Sequence, residues 1–185
     1  MSLSFRCKLF TIHHSPFPIP IPISLSCVQM MQQQKETPQQ AFGKIKQYCA
    51  YQERCHSEVK ERLYSYGLLK VEVEEILSKL IEENYLNEER FAKSFAGGKF
   101  RVKHWGKRKI RQHLQQRGIA GYNLEQAMKE IAPDDYRETL TELLTKKRLL
   151  IRDENPMVVK QKLVRYALSK GYESDLIWQV LGAEE

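Results

Sequence analysis

Chemistry, if this chain performed any, would have to come from its histidines, cysteines or paired carboxylates, so their spacing is the first question. His13 and His14 are adjacent, whereas His56, His104 and His113 stand far from one another with no metal-ligand interval between them. The cysteines are Cys7, Cys27, Cys49 and Cys55. A zinc site needs two close pairs of ligands, typically two to four residues apart within each pair, and none of these positions supplies one. Free thiols of a reducing compartment are the expectation, and with it a cytoplasmic protein. Asp134 and Asp135 are adjacent at a helix start, where capping is the ordinary role of aspartate. Neither a glycine-rich phosphate loop nor a nucleophile elbow occurs, and convergent carboxylates for metal-assisted hydrolysis are lacking. The chain therefore reads as a binding protein, not an enzyme, with no metal and no cofactor.

The residues that do stand out are cationic. From Arg90 through Leu124 there is no acidic residue, but there are Arg90, Lys93, Lys99, Arg101, Lys103, Lys107, Arg108, Lys109, Arg111 and Arg117, with His104, Trp105 and His113 interleaved. A solvated helix face usually mixes both signs, so a one-sign run points to an anionic partner, phosphate or carboxylate. Trp105 either anchors that interface or is a core aromatic before Gly106. The preceding stretch is the reverse. Glu53, Glu58, Glu61, Glu72, Glu74, Glu75, Glu82, Glu83, Glu88 and Glu89 face only Arg54, Lys60, Arg62, Lys70 and Lys79. The whole chain of 185 residues carries a formal charge of +7.

The elements that position these charges repeat. Gly67, Gly118 and Gly171 are 51 and 53 residues apart. Eight residues before each glycine stand Val59, Ile110 and Leu163, and four before stand Leu63, Leu114 and Ala167, one helical stripe in each copy. Six residues after each glycine come Val73, Leu124 and Ile177. Ile76, Ala127 and Val180 follow at plus nine, then Leu77, Met128 and Leu181 at plus ten, and Leu80 and Ile131 at plus thirteen. That is a second amphipathic helix per copy, with the glycine as left-handed cap between the two. A third helix precedes each pair. It is expected over residues 44–54 in the first copy, from Glu88 to about Phe100 behind an Asn87 cap in the second, and from Asp135 to about Leu150 in the third. Ser57, Asn155 with Pro156, and Ser174 read as further N-caps, and Pro133 as the end of the second copy's last helix.

The fold class is thus all-α, tandem three-helix-bundle repeats in three degenerate copies. The expected divisions are 41–86, 87–133 (the basic copy) and 134–185. Residues 1–40 differ in character. Ser15 to Ile23 alternates proline with apolar residues, which excludes a helix and spoils a secretory signal. Gln32 to Gln34 and Thr37-Pro38-Gln39-Gln40 read as a polar linker. This part is expected to be a disordered or mis-annotated extension, with translation beginning at Met30 or Met31. No run approaches the length that spans a membrane, and no coiled-coil seam suggests more than a monomer.

His56-Ser57-Glu58-Val59-Lys60-Glu61-Arg62-Leu63 with Gly67, the block Leu80 to Ala92 containing Tyr85-Leu86 and Arg90-Phe91-Ala92, and Gly106-Lys107-Arg108-Lys109-Ile110-Arg111 with Leu114 and Arg117-Gly118-Ile119 together resemble the RecX family of bacterial recombination regulators. The resemblance covers about residues 45–182. Asn87 stands where the family often has Asp, and the third copy is the least patterned. The resemblance implies an elongated, curved repeat array that binds RecA and the RecA–DNA filament and restrains ATP hydrolysis, filament growth and strand exchange; some members also bind single- or double-stranded DNA. Arg90, Lys99, Arg101, Lys103, Trp105, Lys107, Arg108, Lys109, Arg111 and Arg117 are the candidate contacts. A stand-alone DNA-binding protein acting through the same basic copy is the alternative.

Overall fold

The computed structural model describes residues 36–183. The expectations for the prolyl segment, the translation start, His13, His14, Cys7 and Cys27 lie outside the described residues. Within them the structure is helical throughout: α1 (Pro38–Tyr51), α2 (His56–Ser65), α3 (Lys70–Glu82), α4 (Glu88–Lys103), α5 (Lys107–Gln115), α6 (Gly121–Lys129), α7 (Pro133–Arg148), α8 (Pro156–Lys170) and α9 (Ser174–Gly182). These form three successive three-helix groups.

The apolar stripes are what the helices bury. Val59 and Leu63, Ile110 and Leu114, and Leu163 and Ala167 are all buried, as are Val73, Ile76, Leu77 and Leu80 on α3 and their counterparts on α6 and α9, save Met128, which is partly buried. Each valine, leucine or isoleucine among them removed from water contributes roughly 1.5–3 kcal/mol. The stripes gather into two cores. One is confined to the first group, with Ala41, Ile45 and Cys49 of α1 closing over α2 and α3. The other is continuous through the second and third groups, from Phe91 to Leu181. Cys55, at the start of the first group's second helix, packs into this second core and not into its own. On α4 the small residues Ala92, Ala96 and Gly97 are buried between Phe91 and Phe100, which lets α6 lie close along it.

Gly67, Gly118 and Gly171 take φ of 81°, 82° and 93°, the left-handed region that the cap reading requires. Asn87 and Asn155 cap as expected, accepting from the amides of Arg90 at 2.9 Å and Met157 at 3.0 Å. Other termini depart from expectation. Thr37 and Pro38 are not linker: the Thr37 hydroxyl accepts from the Gln40 amide while the Gln40 side chain accepts from the Thr37 amide, a capping box that opens α1. Pro133 does not end α6, which has already stopped at Lys129; it opens α7 at the first helical position, where proline's missing amide costs nothing. Asp134 and Asp135 then lie in the first turn of α7 without a side-chain cap bond, placed to favour its dipole. Ser57 lies inside α2 and its hydroxyl donates to the Arg117 carbonyl at 3.3 Å; Ser174 is the first residue of α9, and Glu173 precedes it as the cap position.

Candidate nucleic-acid and protein interface

The ten cationic and aromatic candidates fall into four sets once their partners are known. Arg90 is tied into the junction of the first and second groups: its Nε donates to the Glu53 carboxylate, and its other nitrogens reach the Asn84 side chain and carbonyl at 3.1 Å. Arg117 lies at the same junction, with Nε 3.5 Å from Glu58 and the guanidinium 5.0 Å from the Phe95 ring centre. His56 and Glu88 add a further bridge at 2.9 Å. The acidic first group therefore meets the basic second group through carboxylates already spent on these two arginines.

Lys107 is tied into the other junction. Its amide donates to the Tyr136 hydroxyl at 2.9 Å, its ammonium lies 4.9 Å from that ring, and the hydroxyl donates onward to Glu173 at 2.7 Å. Tyr136 stacks on Tyr172 at 4.9 Å between centroids, and the Phe100 ring lies tilted against it at 5.9 Å. Burial and the Glu173 carboxylate push the Tyr136 hydroxyl far above its ordinary range, so it stays a donor. Beside it the backbones touch: the Gly106 amide donates to the Lys170 carbonyl at 2.9 Å and the Arg108 amide to the Gly171 carbonyl at 3.1 Å. A Cβ on Gly106 would sit 2.2 Å from the Gly171 oxygen, and one on Gly171 would sit 2.3 Å from the Lys109 Cβ. Gly171 is thus both a helix cap and a docking surface for the start of α5. Sequence reasoning saw the cap and missed the docking, and missed Tyr136 and Tyr172 altogether; the glycine ahead of the basic helix was the available signal.

Lys99, Trp105, Lys109 and His113 form a third cluster at the α4–α5 corner. Trp105 packs one side on the shared core and stacks on His113 at 4.7 Å. Lys99 and Lys109 hold their ammonium groups 5.4 and 5.0 Å from the indole, and Lys109 also donates to the Ser169 carbonyl at 3.1 Å. Burial, then Arg117, Lys109 and Lys99 in turn, lower the His113 pKa from its usual value, so the imidazole is neutral at pH 7. Of the two readings of Trp105, the structure shows the core one: the ring is partly buried and packs against the shared core.

The remaining four, Arg101, Lys103, Arg108 and Arg111, are exposed with no ion-pair partner among the described residues. They belong to the last turn of α4 and the first two turns of α5. On α4 cations at the C-terminus suit the helix dipole; on α5 they do not. Lys107, Arg108 and Lys109 occupy the first turn, with no acidic residue there, an arrangement that costs roughly 0.3–1 kcal/mol per charge. Lys107 and Lys109 are partly compensated by the Tyr136 and Trp105 rings, whereas Arg108 has no ion-pair partner among the described residues. No group of three potential metal ligands occurs among the described residues, and none of their helices is long and apolar enough to cross a membrane. Cys49 and Cys55 are free and buried, and burial pushes the Cys49 thiol up to about 11.

A family model described as the second three-helix domain of RecX matches residues 87–128, and one described as the third three-helix domain matches residues 134–181. The regulatory protein RecX of Bacillus cytotoxicus is 25% identical over 142 residues, which are 77% of this chain and 53% of that protein. That of Haemophilus influenzae is 26% identical over 146 residues, 78% of this chain and 95% of the relative. The chain spans about half the length of the Bacillus relatives it matches. Among solved structures, a regulatory protein RecX aligns over 85% of this chain and 76% of its own at 23% identity and a TM-score of 0.72. RecX from Lactobacillus salivarius aligns over 79% and 95% at 22% identity and the same score; these two similarities establish the shared fold.

Proposed function

The chain belongs to the RecX family of regulatory proteins, which are not enzymes, and from that premise we propose that it regulates RecA by binding the RecA–DNA filament and restraining ATP hydrolysis, filament extension and strand exchange. The observation that carries this reading is the corner between α4 and α5. There Arg101, Lys103, Arg108 and Arg111 stand without carboxylate partners on the helix ends either side of Trp105, which stacks on His113. Guanidinium groups pair bidentately with phosphate or carboxylate, and an indole edge supplies an apolar anchor. The second group, α4 to α6, supplies that contact, while the flanking groups, α1 to α3 and α7 to α9, spread it along neighbouring subunits. Arg90, Lys107 and Arg117 hold the groups together and act on the partner indirectly.

The decisive variant is Arg101→Glu, Arg108→Glu and Arg111→Glu combined. These side chains are exposed and unpaired, so melting should shift little, because surface substitutions usually change stability within about 0.5 kcal/mol. Inhibition of RecA should be lost. Full inhibition by the triple variant would refute the contact. Plain DNA binding through the same corner remains the second reading. It requires affinity for bare duplex equal to that for the filament, falling steeply with salt as counterions are released.

A further inference from the structure

A second surface lies mainly on α7 and α8 of the third group and reaches the α4–α5 corner at His104. Leu143 and Tyr166 floor a groove of about 150 Å³ between α7, α8 and the end of α4, with Leu150 and His104 at its edges. That volume is about what a single benzene-sized group fills. Leu150 is 74% exposed and its neighbour Leu149 is 83% exposed, a pair of large aliphatic side chains left in water at a helix end. Cations frame the groove. Lys147 and Lys170 approach the Tyr166 ring from α7 and α8, at 5.1 and 5.7 Å. Lys170 is further held by a bond to the Lys103 carbonyl at 3.2 Å. No acidic residue lines the groove, and the neighbouring Glu142 is already paired with Lys146 at 2.7 Å.

We propose that this groove is a docking site for an acidic peptide segment carrying one bulky apolar residue, whose side chain seats on Leu143, Leu150 and Tyr166 while its carboxylates meet Lys147 and Lys170. Charge complementarity selects the acidic flanks, since the rim offers cations with no carboxylate among the lining residues. The floor selects an apolar side chain over a nucleobase, because leucines give the polar edge of a base nothing to hydrogen-bond. Lysines already held against the ring lose less freedom on binding than unrestrained ones would.

The test is fluorescence anisotropy of the full chain with a short labelled peptide bearing aspartates on both sides of a single phenylalanine. The peptide should bind, and replacing its phenylalanine by serine should abolish binding. Leu150→Glu should weaken it about tenfold or more, as should Lys147→Glu. Both positions are on the surface, and an unchanged circular dichroism melt checks that the variants fold. Arg111→Glu, which belongs to the RecA reading, should leave peptide binding intact. Equal loss with Arg111→Glu would overturn the proposal. So would equal binding of the serine peptide, displacement by a single-stranded oligonucleotide without effect on Leu150→Glu, or self-association of the chain through Leu150 in place of peptide binding.

Discussion

Single residues in this protein matter most where two chain segments touch without side chains between them. Gly106 has an ordinary backbone conformation, with φ of −73°, so its requirement for glycine comes wholly from the Gly171 carbonyl against it. Gly118 is the reverse case, with φ of +82° and no atom within 4 Å of a would-be Cβ. Gly106→Ala should therefore cost about 2–3 kcal/mol through overpacking, and Gly118→Ala about 1 kcal/mol through backbone strain alone. Urea denaturation of the two variants checks the order; a larger loss at Gly118 would contradict the docking account. His113 makes a second residue-scale prediction. Its folded pKa lies below the unfolded value, so its neutral form contributes stability above about pH 6.5. That contribution declines as pH falls below this value. An anionic partner at the Trp105 stack would raise the same pKa, so binding should take up a proton and tighten from pH 7.5 to 5.5. Lys99 on α4 and Lys109 and Arg117 around α5 are the cations that face His113. His113→Gln should flatten the pH profile, and a slope that survives the substitution would place the partner elsewhere.

Helices were legible because burial imposes a period. The i, i+4 stripes before and after each glycine were enough to pair α2 with α3, α5 with α6 and α8 with α9. What failed were the ends. Ser57 and Ser174 look like caps by residue type, yet α2 begins at His56 because Cys55 is drawn into the neighbouring group's core, and Ser57 is then free to bind Arg117. Pro133 looks like a helix end and Thr37-Pro38 like linker; proline stops one helix and starts another with the same missing amide, and only the location of the preceding helix end distinguishes the two. The joint between helix groups was invisible for a different reason. Tyr136, Glu173 and Lys107 are far apart in sequence and no local pattern links them. Its chemistry gives a paired prediction. Tyr136→Phe leaves the Lys107 amide and Glu173 without their shared hydroxyl and should cost about 1–2 kcal/mol. Tyr172, stacked against it, has a buried hydroxyl with no protein partner, so Tyr172→Phe should change stability by less than about 0.5 kcal/mol or raise it. Thermal melts of both variants test the pair, and equal losses would mean the hydrogen-bonded hydroxyl is not what holds the joint.

At the scale of the molecule, the segregation of charge was plain in the sequence, but its use was not. By residue type the first group is acidic and the second basic. In the structure Glu53 and Glu58 reach across to Arg90 and Arg117, so part of the basic run is internal wiring, and the arginines left over are fewer and confined to one corner. Ten candidate contacts were named from the run; Arg101, Lys103, Arg108 and Arg111 are the ones the fold leaves unpaired, with Lys99, Trp105 and Lys109 beside them. No reading of residue type alone could separate the sets, because an arginine in a joint and an arginine on a face have the same sequence signature. The central claim is that this corner engages a RecA filament. Its most direct measurement is RecA's ATP hydrolysis on single-stranded DNA, titrated with this chain at two salt concentrations. Inhibition at well below one chain per RecA, retained at the higher salt and lost in the Arg101, Arg108 and Arg111 charge reversal, is the expected result. Unaltered hydrolysis, accompanied by salt-sensitive binding to bare DNA, would contradict it.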